Sequence, residues 1–229
     1  MSILSFDIGI KNLAFCQLNE KEEIEDWGII NISCDCFCQH TNTKGNNCDK
    51  SATYITTWLD DDKQVKLCTG HSKLKQYVPP EKKKLKKIKT QNSILNVGKK
   101  MVEKLKEYPD FLNCKEVIVE NQPSLKNPTM KSIQMLVYSY FLVNGVSNND
   151  SNINNLEMIN ARNKLKVYTG EPIECKYKES YKRNKFLAVK YCEIMIKEEK
   201  GKFIELYNFS KKKDDLSDSY LQGIYWLRK

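Results

Sequence analysis

Two sets of residues in this chain have the types and spacing to do chemistry. The first is acidic. Asp7 follows the apolar stretch Ile3-Leu4-Ser5-Phe6 and precedes Gly9, and Glu120 closes the apolar run Val117-Ile118-Val119. Asp214, Asp215 and Asp218 open a C-terminal helical segment, where Asp215 and Asp218 are three apart and share one face. If the first and fourth strands pair side by side, Asp7 and Glu120 become neighbours. A helix across that sheet then brings Asp215 and Asp218 to the same point. Converging carboxylates repel one another unless they are protonated or a cation neutralises them. Hard divalent ions such as Mg²⁺ and Mn²⁺ prefer oxygen ligands. Two of them about 3.5–4 Å apart would activate a water and stabilise a leaving 3′ oxygen, the chemistry of phosphodiester hydrolysis. Singly, each acid has a plainer reading. Asp-x-Gly is a common turn, and an acid at a helix start complements the macrodipole. The conjunction favours the metal site.

The second set is soft. Cys34, Cys36, Cys38 and His40 crowd together, Cys48 follows beyond a loop containing Gly45, and Cys68-x-x-His71 closes the group. Thiolates with imidazole at this spacing suit tetrahedral Zn²⁺. Cys38, Cys48, Cys68 and His71 form the preferred set because Cys38 and Cys48 bracket the glycine loop. Cys36 or His40 are the alternatives to Cys38, and Cys34 reads as a strand-end residue. Four protein ligands leave no position for substrate, so the role is structural, and free thiols are the plainer alternative. Cys16, Cys114, Cys175 and Cys192 have no histidine partner and read as packing residues, which excludes a cysteine nucleophile.

The elements that must position these residues read as an α/β order. Strands are expected over 3–6, 13–18 and 27–32, a helix over 90–107, a strand over 116–120, and a helix from Pro128 to about 143. A polar loop (145–155), a strand (156–161) and helices over 180–198 and 214–227 complete the chain, with 162–168 ambiguous. Three strands, then helix, strand, helix, strand and helix imply a mixed sheet with the first and fourth strands as parallel neighbours. Residues 34–80 interrupt this order, so 1–33 and 81–229 are expected to form one domain and 34–80 an inserted zinc-binding module.

The 229 residues suffice for such a domain with a small module. The longest apolar stretch, Ile133 to Val143, falls short of a bilayer span, and no signal-peptide pattern opens the chain, so an intracellular, reducing compartment is expected. Nine cysteines, an odd number, also argue against a disulfide framework. A formal charge of +9 fits a polyanion partner. Six lysines lie within 82–89; a solvated face is the default reading, and contact with a nucleic-acid arm is the alternative. Lys126 and Lys131 follow Glu120, and Lys182, Arg183 and Lys185 lie near Tyr177 and Tyr181. These are the candidate phosphate contacts.

Asp7-Ile8-Gly9-Ile10-Lys11-Asn12, Ile118-Val119-Glu120-Asn121-Gln122-Pro123 and Asp215-Leu216-Ser217-Asp218 resemble the retroviral-integrase/ribonuclease H superfamily. More narrowly, the chain resembles the RuvC-type Holliday junction resolvases of poxviruses and other nucleocytoplasmic large DNA viruses. The most distinctive stretch is Glu120 to Met135, with Asn127-Pro128 and Met130-Lys131. The resemblance covers most of the chain outside 34–80 and the polar loop, and the poxvirus members generally lack the cysteine-rich insert. It implies a ribonuclease H-like mixed five-stranded sheet flanked by helices. It also implies a homodimeric, Mg²⁺- or Mn²⁺-dependent endonuclease with two ions per site, nicking opposing strands of a four-way DNA junction symmetrically, in viral genome recombination or concatemer processing. The host cytoplasm, in a virus factory, or the nucleus would be its location. Carried over by position, Asp7, Glu120, Asp215 and Asp218 would be the catalytic metal ligands. Asp214 competes for the third place because a shift of one residue exchanges it with Asp215. The rival readings are another ribonuclease H-like nuclease, acting on RNA–DNA hybrid or transposon-type substrates, and a non-catalytic zinc-containing DNA-binding protein. An actin-like ATPase is excluded because no second Asp-x-Gly domain is present.

Overall fold

The computed structural model describes residues 2–33, 36–48, 50–57, 64–77, 85–88, 93–125, 127–197 and 201–229. In chain order the strands are β1 (Ser2–Ile8), β2 (Asn12–Asn19), β3 (Ile24–Asn31), β4 (Tyr54–Thr57), β5 (Gln64–Leu67), β6 (Lys86–Lys87), β7 (Glu116–Asn121) and β8 (Asn155–Asn160). The helices are α1 (Ile94–Leu105), α2 (Pro128–Phe141), α3 (Ser180–Met195), α4 (Lys202–Phe209) and α5 (Lys213–Leu227). The chain divides into a large unit, Met1–Ile32 with Val97–Lys229, and a small unit, Ser33–Asn96. The second boundary therefore lies beyond the expected residue 80. The reason is strand pairing: Lys86 and Lys87 join the small sheet opposite Ile55 and Tyr54.

The large unit is built on a mixed five-stranded sheet in the order β3-β2-β1-β7-β8, flanked by helices, as the α/β order implies. β1 and β2 pair antiparallel through the turn at Gly9, β2 and β3 likewise, and β1–β7 and β7–β8 pair parallel. β1 and β7 are buried on both faces, which is why Ile3-Leu4-Ser5-Phe6 and Val117-Ile118-Val119 are apolar without alternation. One face packs Phe6 against Phe15, Phe111 and Phe141, with Phe6–Phe141 centroids 5.4 Å apart. The other packs Ile3, Cys16, Leu18 and Trp27 against α3, α4 and α5.

α5 is pinned to that second face by buried polar bonds. Gln222 Nε2 donates to Ser5 Oγ and to the Phe6 carbonyl, both at 3.1 Å. Trp27 Nε1 donates to the Leu216 carbonyl at 3.2 Å, and Trp226 Nε1 to Glu116 Oε2 at 3.0 Å. At Gly223 a side chain would stand 2.7 Å from Leu18 Cδ1, so the close approach of helix to sheet needs a glycine. Two elements differ from the sequence expectation. α4 lies just before the acidic helix where none is expected, and the ambiguous stretch after β8 is a 3₁₀ segment, Ala161–Val167.

The small unit is a three-stranded antiparallel sheet, β5-β4-β6, extended by isolated bridges Phe37–Ser51 and Thr41–Asn47. Its buried apolar cluster is slight: Cys38, Leu67 and Cys68, with Cys48, Val65 and Tyr77 against them. Gly45, at φ +80°, turns the loop between Thr41 and Asn47, with Asn42 accepting from the Asn46 and Lys44 backbones.

Candidate functional site

The acidic site forms at the carboxyl ends of β1 and β7. Their parallel register sets Ser5 opposite Ile118 and Phe6 opposite Val119, so one step further Asp7 comes beside Glu120, whose charge acts on it. The turn after Asp7 is closed by Gly9 N donating to the Asn12 carbonyl at 2.9 Å. A Cβ on Gly9 would meet that oxygen at 2.8 Å, so this tight turn requires glycine for close approach. Beyond Glu120, Gln122 N donates to Gln134 Oε1 of α2 at 2.8 Å, which fixes the chain as it leaves the sheet. α5, pinned as described, presents Asp215 and Asp218. Asp7, Glu120, Asp215 and Asp218 all line one cleft of about 630 Å³. Asp214 does not line it. Asp214 Oδ2 accepts from Lys185 Nζ of α3, and that ammonium holds Asp214 below the usual carboxylate range despite its burial.

Lys164, which carries no local signal in the sequence, stands among these acids. It is 13% exposed, ion-paired with Asp218 and 3.8 Å from Glu120 Oε2. The 3₁₀ segment after β8 carries it there. Burial pushes Asp7 well above the usual carboxylate range, and Glu120 beside it adds to the effect. Burial also pushes Asp218 up to about 7, against the pull of Lys164. For Lys164 itself burial acts downward, but Asp218, Glu120 and Asp7 outweigh it and hold the ammonium above the ordinary lysine value. A site that raises two acids and retains a buried cation is one in which positive charge is in demand. Hard oxygen donors in this setting suit a divalent ion.

Of the expected phosphate contacts, Lys185 lines the cleft, as do Lys11, Arg162 and Lys212, none of which the sequence singled out. Lys131 does not; its Nζ donates to Asn121 Oδ1 (2.9 Å) and Gln134 Oε1 (3.1 Å), bracing β7 against α2. Lys182 is exposed and paired with Glu179 at 2.8 Å, and Arg183 is exposed on the same turn of α3. Lys126 lies outside the described residues. The cleft cations missed by the sequence reading carry no local signal, since each is one lysine or arginine among 38.

In the small unit, one ligand atom from each of Cys38, Cys48, Cys68 and His71 lies within 4.8 Å of the others. Cys38 Sγ is 3.4 Å from His71 Nδ1, and Cys68 Sγ accepts from the His71 backbone N–H at 3.5 Å. The alternatives are occupied elsewhere: Cys36 Sγ accepts from Lys66 Nζ at 3.3 Å, and His40 Nδ1 bonds Tyr77 Oη at 3.0 Å. Cys34 lies outside the described residues. Burial raises the Cys38 thiol. Burial would also raise Cys68, but the His71 backbone N–H, the Cys38 side chain and the Gly70 backbone N–H together outweigh it and lower that thiol. His71 is held below the ordinary imidazole value by burial and by His40, whose ring lies 3.9 Å away. A neutral imidazole with three thiols fits tetrahedral zinc. Among the described residues no cysteine is in a disulfide, and no helix is long and apolar enough to cross a membrane.

Comparison with known proteins then gives three findings. Residues 3–124, more than half of the chain and including Asp7 and Glu120, match the Ydc2 catalytic family model, described as mitochondrial resolvase Ydc2 / RNA splicing MRS1. The uncharacterised protein L451 of Acanthamoeba polyphaga mimivirus is 32% identical over 209 residues, 84% of this chain and 49% of that one, so the chain spans about half the length of this curated relative. Among solved structures, the yeast mitochondrial Holliday junction resolvase Ydc2 is 16% identical with a TM-score of 0.49, over 99% of this chain and 78% of that one. The fowlpox virus resolvase with substrate Holliday junction DNA is 17% identical with a TM-score of 0.46, over 100% and 97%.

Proposed function

We propose that this chain, which belongs to the family of the mitochondrial resolvase Ydc2 and the RNA-splicing protein MRS1, is a divalent-metal-dependent endodeoxyribonuclease that resolves four-way DNA junctions by paired symmetric nicks. The family description joins a resolvase to an RNA-splicing protein, so membership alone does not choose between cleavage and binding. The observation that carries the choice is the convergence of Asp7, Glu120, Asp215 and Asp218 on one cleft with a buried lysine among them. Binding alone has no use for buried acids, which repel the phosphates of a nucleic acid.

In this reading the four carboxylates hold two ions, Mg²⁺ or Mn²⁺, which when bound supply an activated water and a counter-charge for the leaving 3′ oxygen. Glu120 and Asp7 orient from the rigid sheet, and Asp215 and Asp218 from a helix that Gln222 locks to β1. Lys164 keeps Asp218 and Glu120 in place through its ammonium. Lys11, Arg162, Lys185 and Lys212 at the cleft wall receive backbone phosphates. Nicks in two opposing strands call for two copies of the site, hence a homodimer. The thiolate cluster holds a structural Zn²⁺. Free thiols and the mimivirus relative support a reducing intracellular setting, a virus factory or nucleus, and a role in viral genome recombination.

The test is incubation of the protein with an end-labelled synthetic four-way junction, with and without Mg²⁺ or Mn²⁺. Paired symmetric nicks that need the metal are expected. Asp218→Asn should lower cleavage by roughly 10³-fold, equivalent to about 4 kcal/mol of transition-state stabilisation, with junction binding retained. Cleavage of RNA–DNA hybrid alone would transfer the site to the rival nuclease reading, and an Asp218→Asn variant as active as wild type would remove it from the chemistry.

A further inference from the structure

The charge of the chain is unevenly held. Residues 33–96 contain twelve lysines and six acids, whereas the rest of the chain has 26 basic against 23 acidic residues. The small unit thus supplies +6 of the total +9 from little more than a quarter of the length. Of its lysines, Lys44, Lys50, Lys73, Lys75, Lys86 and Lys87 are exposed and Lys66 is half-buried, while its acids, Asp35, Asp49, Asp60, Asp61, Asp62 and Glu81, lie outside the described residues.

The sheet explains how two of them, Lys66 and Lys86, are displayed on one face. β5 alternates, with Val65 and Leu67 turned to the thiolate cluster and Lys66 to the opposite face. Lys66 stands opposite Ile55, and Ile55 opposite Lys86, so one row across three strands reads Lys-Ile-Lys, with the outer two about 10 Å apart. Ordinary solvated surfaces come nearer to balance, as the large unit does with 26 bases to 23 acids, because a large surplus of one sign opposes compaction. A unit with so slight an apolar cluster is poorly able to bear that repulsion for solubility alone.

We propose that the small unit is a nucleic-acid-binding arm, gripping the phosphate backbone of duplex DNA through the exposed lysines Lys75, Lys86 and Lys87. The proposal takes from the preceding reading only that DNA is the partner; it does not require that the cleft cleave anything. Contact is to phosphate, so binding is insensitive to base sequence and steeply dependent on salt.

The test uses the full zinc-loaded chain without Mg²⁺, with binding of a labelled duplex followed by anisotropy from about 50 to 200 mM salt. Replacing Lys75, Lys86 and Lys87 together by Gln should weaken binding roughly tenfold or more at the low end and flatten the log–log salt slope by about 2–3, near 0.9 for each lost phosphate contact. Replacing Lys99, Lys106 and Lys166 of the large unit by Gln removes the same charge and should change the slope far less. The triple Lys→Arg variant, which keeps the charge, should bind as wild type. Thiolate absorption of the Co²⁺-loaded variants verifies that the unit is folded. Equal slopes for the two Gln triples, or a weakened Arg triple, would overturn the proposal, as would tighter binding to phosphatidylserine vesicles than to duplex. The two readings fail separately: absent junction cleavage leaves this result untouched, and a flat salt response here leaves the nuclease untouched.

Discussion

The carboxylate cleft draws its acids from β1, β7 and α5, elements from opposite ends of the chain, while the thiolate cluster gathers its four ligands between Cys38 and His71. The cleft stands on a sheet buried on both faces, with aromatic packing beneath it and buried polar bonds fixing α5 above it. That framework is large enough to hold acids together against their repulsion, with Lys164 supplying part of the compensation. The cluster has the reverse arrangement. It sits in a unit whose apolar cluster is hardly larger than the ligands themselves, so a bound ion would contribute much of that unit's folding free energy. In one region the fold would position the ligands for a metal; in the other a metal would position the chain.

The comparison breaks most visibly at the cluster. Cys68→Ser, or zinc chelation, should unfold residues 33–96, because structural zinc in small domains is worth on the order of 10 kcal/mol. Hydrogen exchange should show β4 and β5 losing protection while β1, β2 and β7 keep theirs. Retained protection in β4 after chelation would mean that the unit folds without metal.

The cleft should respond more mildly. Lys164→Met removes the cation from a buried charged group and should destabilise the chelator-treated protein by about 3–5 kcal/mol in urea unfolding. Mn²⁺ should then stabilise this variant more than wild type, since no ammonium competes for the same acids. Wild-type stability in the variant would show that the acids are compensated by water.

The most gradual effect is on pH, since it accrues over several pH steps. With no metal, Asp7 and Asp218 stay protonated in the folded chain over a range where the unfolded chain has released both protons. The native state binds more protons there, so stability falls as pH rises from near 4 to about 7. The slope is at most about 1.4 kcal/mol per pH step of one for each acid that keeps its proton only when folded. Mn²⁺, by replacing those protons, should flatten the slope. Melting curves in chelator and in Mn²⁺ across this range distinguish the cases, and a stability that rises through the window would contradict the burial of the two acids.

Much of this was legible in the residues. Asp7-x-Gly9 after an apolar strand, Glu120 closing another, and the i, i+3 pair Asp215/Asp218 all carry local signals, and the strand order follows from which segments are apolar and which helical. The boundary after residue 80 was not legible, because Lys86 and Lys87 pair with β4 through backbone bonds that no side-chain pattern announces. Lys164 was not legible for a similar reason. It lies in a stretch without clear periodicity, and only the packing of that segment beside α5 makes it differ from other lysines.

Short-range chemistry was therefore determined by the sequence alone: which residue types can ligate, where strands and helices begin, and that a thiolate set and a carboxylate set both exist. Asp215 lining the cleft while Asp214 turns to Lys185, Cys38 joining the cluster while Cys36 and His40 bond elsewhere, and the entry of Lys164 were decided by tertiary structure. Each is a choice between near-equivalent neighbours. Helix rotation, sheet register and burial make that choice, and all three are properties of the packed whole.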